Sequence, residues 1–364
     1  MPRLGRRGLY FRRVSARRWL RRILIGFGAL LLLFVALVMA LGWFFSGPAY
    51  RGPVSEHFDG KHFRNLRDVP HGGFGAFLRW QRHRERGPWT DREAPPGPPP
   101  PARVAGLRVT FVNHATVLIQ QDGVNLLTDP IWSLRASPVS FAGPRRQHRP
   151  GLRFEDLPPI DAVVLSHNHY DHLDLPTLRR LESAHHPRFF CGLGNKALLE
   201  KAGLSRVTEL DWWQNVPLTT AVELIAVPAQ HFSNRGLFDR DRTLWLGYVL
   251  RGPAGLAYFA GDTGRGPHFA EIRKRLGAPR LAVLPIGAYR PIWFMNAIHE
   301  TPAEAVEALA ALGAGTGVAM HFGTFSLGDD GQDEPPEALE AAVRGTQPPP
   351  RFWILGFGEG REVP

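Results

Sequence analysis

Residues Leu165–Asp174 read LSHNHYDHLD, placing three histidines and two aspartates within ten positions directly behind the apolar run Ala162–Leu165. A buried strand cannot carry so many ionisable groups into a core, because each one taken out of water is costly unless a cation or solvent compensates it. The segment therefore belongs on a loop at the carboxyl end of its strand. That placement fits an α/β fold, whose rigid strands hold such loops side by side.

The remaining donors obey the same rule. His231 follows the apolar run Val222–Val227, Asp262 follows Leu256–Ala260, and His321 follows Gly317–Met320. Leu107–Val112, Val117–Ile119, Asn125–Leu127 and Leu281–Pro285 also read as strands, several of them buried on both faces. Thr301, Pro302 and Glu304 form a capping box with proline at the first helical position, and Gly313 is placed to close that helix. The class is α/β, with one large domain. In an extended segment residues two apart point the same way, so His167 and His169 can face one ion. A turn toward a helix beginning at Leu175 then swings Asp171 and His172 toward a second. Five histidines and two aspartates exceed the ligand count of one tetrahedral zinc and fit two adjacent ions bridged by a carboxylate. His57, His62, His71, His83, His148, His185, His186 and His268 lack such company and are expected to be structural.

The chain of 364 residues carries a formal charge of +11, but nine arginines before residue 46, with no acid among them, supply most of it. The rest of the chain is close to neutral, and this argues against a nucleic-acid substrate, which demands clustered positive charge. Ile23–Phe45 is uncharged and, at about 1.5 Å per residue, reaches roughly 35 Å, enough to cross the hydrocarbon core as a helix. A cleaved signal peptide is the rival reading. By the positive-inside rule the expected arrangement is a basic cytoplasmic segment at 1–22, a transmembrane anchor at 23–45, and a body on the far side of a bacterial inner membrane, periplasmic or extracytoplasmic. Residues 46–103, ending in the proline-rich Ala94–Pro101, are expected to form a strap and spacer before a hydrolase domain at 104–358. Cys191 is the lone cysteine, so no intrachain disulfide can hold this fold.

The HxHxDH pattern with the distant His231, Asp262 and His321 resembles the metallo-β-lactamase superfamily. HFDGKHFRNL, PAQHFSNRGLFDRDRTLW, YFAGDTG and LPIGAYRPIWFM resemble, more narrowly, N-acylphosphatidylethanolamine-hydrolysing phospholipase D and its bacterial relatives. The resemblance implies a four-layered αββα sandwich. It also implies two zinc ions per chain, one held by His167, His169 and His231 and the other by Asp171, His172 and His321, with Asp262 between them. Asp129 is then an acid that orients a ligand, and His114 supports the site from behind. Asn113 departs from the glycine usual in the family. Tyr170, inside the ligand run, and His299, just before a helix N-terminus, are implied substrate contacts, with His299 a proton donor to the leaving alkoxide and Asp171 indispensable to turnover.

Water shared by two zinc ions is acidic near neutral pH, so the nucleophile needs no serine or cysteine. The expected activity is hydrolysis of a glycerophospholipid phosphodiester, in the manner of a phospholipase D, by attack of that hydroxide on phosphorus. A lactone, β-lactam or sugar-phosphate hydrolase on the same metal core is the alternative. The expected partners are phospholipid and membrane, with room for a homodimer.

Overall fold

The computed structural model describes residues 7–69 and 72–364. Contacts divide it into two units, the first being α1 (Arg7–Phe45) with Ser46 and Gly236–Phe238, the second running from Gly47 to Pro364 without those three residues. Arg3, Arg6 and His71 lie outside the described residues. Within α1, Arg18–Phe45 is long and apolar enough to cross a membrane. Its leucines and aromatics, such as Leu30, Leu32 and Phe44, are exposed. A helix apolar all round either lies in a protein core or faces lipid.

In the second unit the strands are β1 (Leu107–Asn113), β2 (Thr116–Gln121), β3 (Val124–Thr128), β4 (Ala162–Leu165), β5 (Arg188–Gly192), β6 (Val207–Leu210), β7 (Asn215–Pro217), β8 (Glu223–Val227), β9 (Gly247–Gly252), β10 (Gly255–Phe259), β11 (Leu281–Pro285), β12 (Thr316–Met320), β13 (Phe352–Trp353) and β14 (Gly360–Glu362). Among the described residues they build two mixed sheets, ordered β14-β1-β2-β3-β4-β5-β6 and β13-β12-β11-β10-β9-β8-β7. The helices are α2 (Phe74–Arg82), α3 (Leu175–His185), α4 (Lys196–Lys201), α5 (His268–Leu276), α6 (Ile292–Met295), α7 (Pro302–Leu312) and α8 (Glu334–Gly345).

Alternation along each strand decides the layering. On β2, Val117 and Ile119 join the core shared with Leu224 and Val249 of the other sheet, whereas Leu118 between them turns outward to the cluster containing Leu178 and Leu181 of α3 and Leu199 of α4. On β4, Ala162 and Val164 face inward and Val163 and Leu165 outward. Phe269, Ile272, Leu309 and Leu339 bring α5, α7 and α8 into the main core on the second sheet. Helix, sheet, sheet, helix is thus the order of layers, as the pattern of apolar runs requires. At α7, the Thr301 hydroxyl accepts from Glu304 N, the Glu304 carboxylate accepts from Thr301 N, and Gly313 closes the helix at φ 63°.

Two contacts bear on the expected division of the chain. Residues 46–103, expected as a strap and spacer, pack on the body: Phe58 and Phe63 are buried in the main core, and Phe74–Arg82 is helical. The paired strands run past 358, because β14 pairs with β1, Gly360 opposite Thr110. Both arise from contacts between residues remote in sequence, which local patterning does not encode.

Candidate metal centre

Parallel pairing aligns the carboxyl ends of β3 and β4 in one sheet and of β10, β11 and β12 in the other. Asp129 follows β3, the histidine-rich loop follows β4, His231 lies beyond β8, Asp262 beyond β10, and His321 directly after β12. The turn between β1 and β2 adds His114. His114, Asp129 and His321 take φ of 46°, 34° and 62°, left-handed values rare for residues other than glycine, which surrounding packing must hold in place. Gly261, at φ 63°, precedes Asp262 where a Cβ would come within 2.5 Å of the Ser166 side chain, so this crossing of the loops admits only glycine.

The donors collect in two groups. In the first, His169 Nδ1 lies 2.7 Å from His167 Nε2 and 3.4 Å from His231 Nε2. In the second, Asp171 Oδ2 is 3.0 Å from His114 Nε2, 3.2 Å from His172 Nε2 and 3.5 Å from His321 Nε2. Asp262 stands between the groups: its Oδ2 is 3.1 Å from His321 Nε2, 3.2 Å from His172 Nε2 and 3.8 Å from His231 Nε2. His299 Nδ1 is 3.9 Å from the same oxygen. His167, His172, His231, Asp262 and His321 are buried, while His169, Tyr170 and Asp171 are half-buried and mark the side open to solvent.

Around these donors a second ring of hydrogen bonds fixes which ring nitrogen faces inward. Asp129 accepts from His172 Nδ1 at 2.7 Å, from Ser166 N at 2.7 Å and from Ser166 Oγ at 2.6 Å. Ser166 Oγ also meets His167 Nδ1 at 2.9 Å. His231 Nδ1 pairs with the Ile298 carbonyl at 2.8 Å, and the Thr324 hydroxyl accepts from His114 N at 3.0 Å. Arg235 Nη1 donates to the carbonyls of Asn168 and Leu173, bracing the loop from both ends, and its guanidinium lies 3.9 Å over the Tyr170 ring. Ser166, Thr324 and Arg235 were not singled out from the sequence, since a serine, a threonine and an arginine carry no spacing signal of their own.

The electrostatics divide in the same way. Burial pushes His167 and His231 well below the ordinary histidine value and His169 down to about 3, so this trio is neutral, the form in which imidazole binds a metal. Burial also opposes charge on His172 and His321, but the carboxylates around them outweigh it, holding His172 well above the usual range and His321 at about 9.

Several buried donor atoms have no hydrogen-bond partner, namely His172 Nε2, His321 Nε2 and Asp262 Oδ1. Buried polar atoms are ordinarily satisfied, and the two imidazole nitrogens face the carboxylates of Asp171 and Asp262. Imidazole and carboxylate without thiolate suit zinc, with iron or manganese as chemically close substitutes. The residues present therefore fit a metal centre. Among the described residues, none of the histidines expected to be structural joins a donor group: His57 pairs with Asp211 at 2.7 Å, His148 stacks on Phe357, and His268 meets the Thr263 hydroxyl at 3.1 Å.

Comparison with known proteins identifies the family. The family model described as "Beta-lactamase superfamily domain" matches residues 124–322. The chain is 40% identical over 234 residues to N-acyl-phosphatidylethanolamine-hydrolyzing phospholipase D 1 of Caenorhabditis elegans, covering 62% of this chain and 66% of that one. It is 33% identical to the mitochondrial N-acyl-phosphatidylethanolamine-hydrolyzing phospholipase D of Saccharomyces cerevisiae, covering 64% of this chain and 50% of the other. The matched region thus spans less than two thirds of either relative. In fold, a possible metal-dependent hydrolase from Veillonella parvula superposes with a TM-score of 0.58 at 17% identity, over 71% of this chain and 100% of that one.

Proposed function

This chain belongs to the metallo-β-lactamase superfamily as a metal-dependent hydrolase, and from that premise we propose that it cleaves the phosphodiester of a membrane glycerophospholipid of the N-acylphosphatidylethanolamine type. The products are phosphatidic acid and the alcohol of the head group. The observation that carries the reading is the meeting of two donor groups on Asp262 Oδ2, together with relatives whose names specify this hydrolysis. His167, His169 and His231 would hold one zinc ion, and Asp171, His172 and His321 the other, with Asp262 shared. Two such ions supply, when bound, an acidic water as nucleophile and positive charge for the phosphoryl oxygens.

The protein's own groups do the remaining work. Asp129 fixes the tautomer of His172 by accepting from its Nδ1. His114 holds Asp171 from the side away from the loop. Tyr170, gripped by Arg235 on the open side, orients the substrate at the entrance. His299 is brought down to about 4 by burial and is neutral at pH 7; the negative phosphate of a bound substrate is the charge that lifts it toward the range of a proton donor for the leaving alkoxide. Division of the chain into a basic segment, an anchor in the bacterial inner membrane and an extracytoplasmic hydrolase body belongs to the same reading.

Labelled phospholipid vesicles provide the test. The purified chain with zinc restored should release phosphatidic acid, and His169→Ala should not. Cleavage of small chromogenic lactones without any release of phosphatidic acid would overturn the lipid assignment and favour the carbonyl hydrolase.

A further inference from the structure

Five exposed apolar residues of the body lie on two helices. Phe74, Phe77 and Leu78 on α2 and Ile292 and Trp293 on α6 are 75%, 41%, 50%, 56% and 54% exposed. They form one surface, because aromatic rings link the two helices in a chain: Phe74 to Phe77 at 6.4 Å, Phe77 to Trp80 at 5.9 Å, Trp80 to Phe294 at 5.2 Å, and Phe294 to Trp293 at 5.6 Å. Only Trp80 of α2 is buried. Large exposed apolar patches on a soluble body mark an interaction surface.

Charge says what covers it. Residues 72–86 carry Arg79, Arg82, Arg84 and Arg86 against the single acid Glu85. Arg84 is engaged by Asp329, but neither Arg79 nor Arg82 has a carboxylate partner among the described residues, and the Arg79 guanidinium lies 5.0 Å over the Trp293 ring. Between the helices a cavity of about 410 Å³ is lined by Arg79, Trp80, Arg290 and Trp293, among others. Apolar rings rimmed by unpaired arginines match a lipid interface, where rings enter the acyl boundary and guanidiniums meet phosphates. A second copy of the chain docking face to face would bring these arginines against one another.

We infer that the α2–α6 face docks the catalytic body onto an anionic lipid surface, with Phe74, Phe77 and Trp293 in the interface and Arg79 and Arg82 on the head groups. The face is tied to the candidate site through the chain, since α6 leads through Ile298, whose carbonyl meets His231 Nδ1, to His299. The inference extends the phospholipid reading, yet its test needs no turnover.

The full-length chain bearing Phe74→Cys is labelled on the added thiol with a polarity-sensitive dye; Cys191 is buried and does not compete. It is reconstituted in vesicles of phosphatidylcholine alone or mixed with phosphatidylglycerol. In the anionic vesicles the dye should be quenched by nitroxide-labelled lipid and shielded from aqueous iodide, whereas a dye at Phe141→Cys, exposed elsewhere, should remain open to iodide. Arg79→Gln with Arg82→Gln should weaken the partition of the face onto the anionic surface by about thirtyfold, from the worth of two cations near such lipids. Iodide access to the position-74 dye in anionic vesicles would overturn the inference, as would shielding in lipid-free detergent accompanied by dimers in sedimentation, which would assign the face to a second copy. Failure of phosphatidic acid release with the dye still inserted would sink the substrate assignment and leave this surface standing.

Discussion

Around the loop after β4, imidazoles and carboxylates lie buried or half-buried, and His172 Nε2, His321 Nε2 and Asp262 Oδ1 have no hydrogen-bond partner. On α2 and α6, phenyl and indole rings lie exposed to water, against one another and the Arg79 guanidinium. Each region reverses the usual distribution of polarity, and neither can be explained by folding alone. Unpaired buried donors are a standing cost of about 1–3 kcal/mol each. Exposed rings forgo burial that would otherwise favour the folded state. The two reversals point to two different absent partners, a cation for the first and an apolar surface for the second.

Substitutions can break or sharpen this contrast. The largest effect is expected at Asp171, whose carboxylate is met by three imidazoles: Asp171→Asn should lower phosphodiester turnover by about three orders of magnitude, or about 4 kcal/mol of transition-state stabilisation, with circular dichroism little changed. Retained turnover would show that the buried donors do not form a catalytic centre. Next, Asp129→Asn removes a charged acceptor behind His172 and should weaken zinc binding by about 10–100-fold in a metal titration, without removing any inward-facing donor.

His268 tests whether any buried imidazole would behave as the cluster does. Burial depresses it to about 3, below its unfolded value of about 6.5, so the unfolded chain takes up the proton first. Its contribution is present above pH 6.5 and lost as pH falls toward 3, by about 1.4 kcal/mol per unit. Denaturant titrations should therefore show His268→Gln with a shallower acid loss than wild type, while its zinc content is unchanged. The smallest effect belongs to the exposed rings: Phe74→Ser should alter stability by no more than about 0.5 kcal/mol in thermal unfolding. A larger loss would mean that the ring already has a partner within the protein.

Much of the candidate site was legible because its chemistry is local in sequence. Spacing of two set His167 beside His169, and the turn toward α3 set Asp171 and His172 in a second group; in the structure His169 lies against His167, and Asp171 against His172. The bounds Ala162–Leu165 and Leu281–Pro285 match β4 and β11, since runs buried on both faces are apolar throughout. The capping box before α7 was readable for the same reason, being four residues long. Helix α2 was not, because its apolar positions Phe74, Phe77 and Leu78 lie within only nine residues, among glycines and arginines, and face outward instead of into the core. The direct contact of His114 with Asp171 also escaped notice, since it depends on a left-handed turn between β1 and β2 that the motif does not specify. Sheet order, likewise, is written in pairings between distant segments.

The pairing of β14 with β1 sets an order in time. Leu107–Asn113 is among the first strands of the body to leave the ribosome, yet its neighbour arrives about 250 residues later. Such long-range closure slows folding and leaves the interim edge open to mispairing. Because the apolar helix emerges before any strand, this chain completes its first sheet only after its amino-terminal end has had the opportunity to engage a bilayer, so a nascent chain arrested before Gly360 should be more sensitive to protease than the finished one.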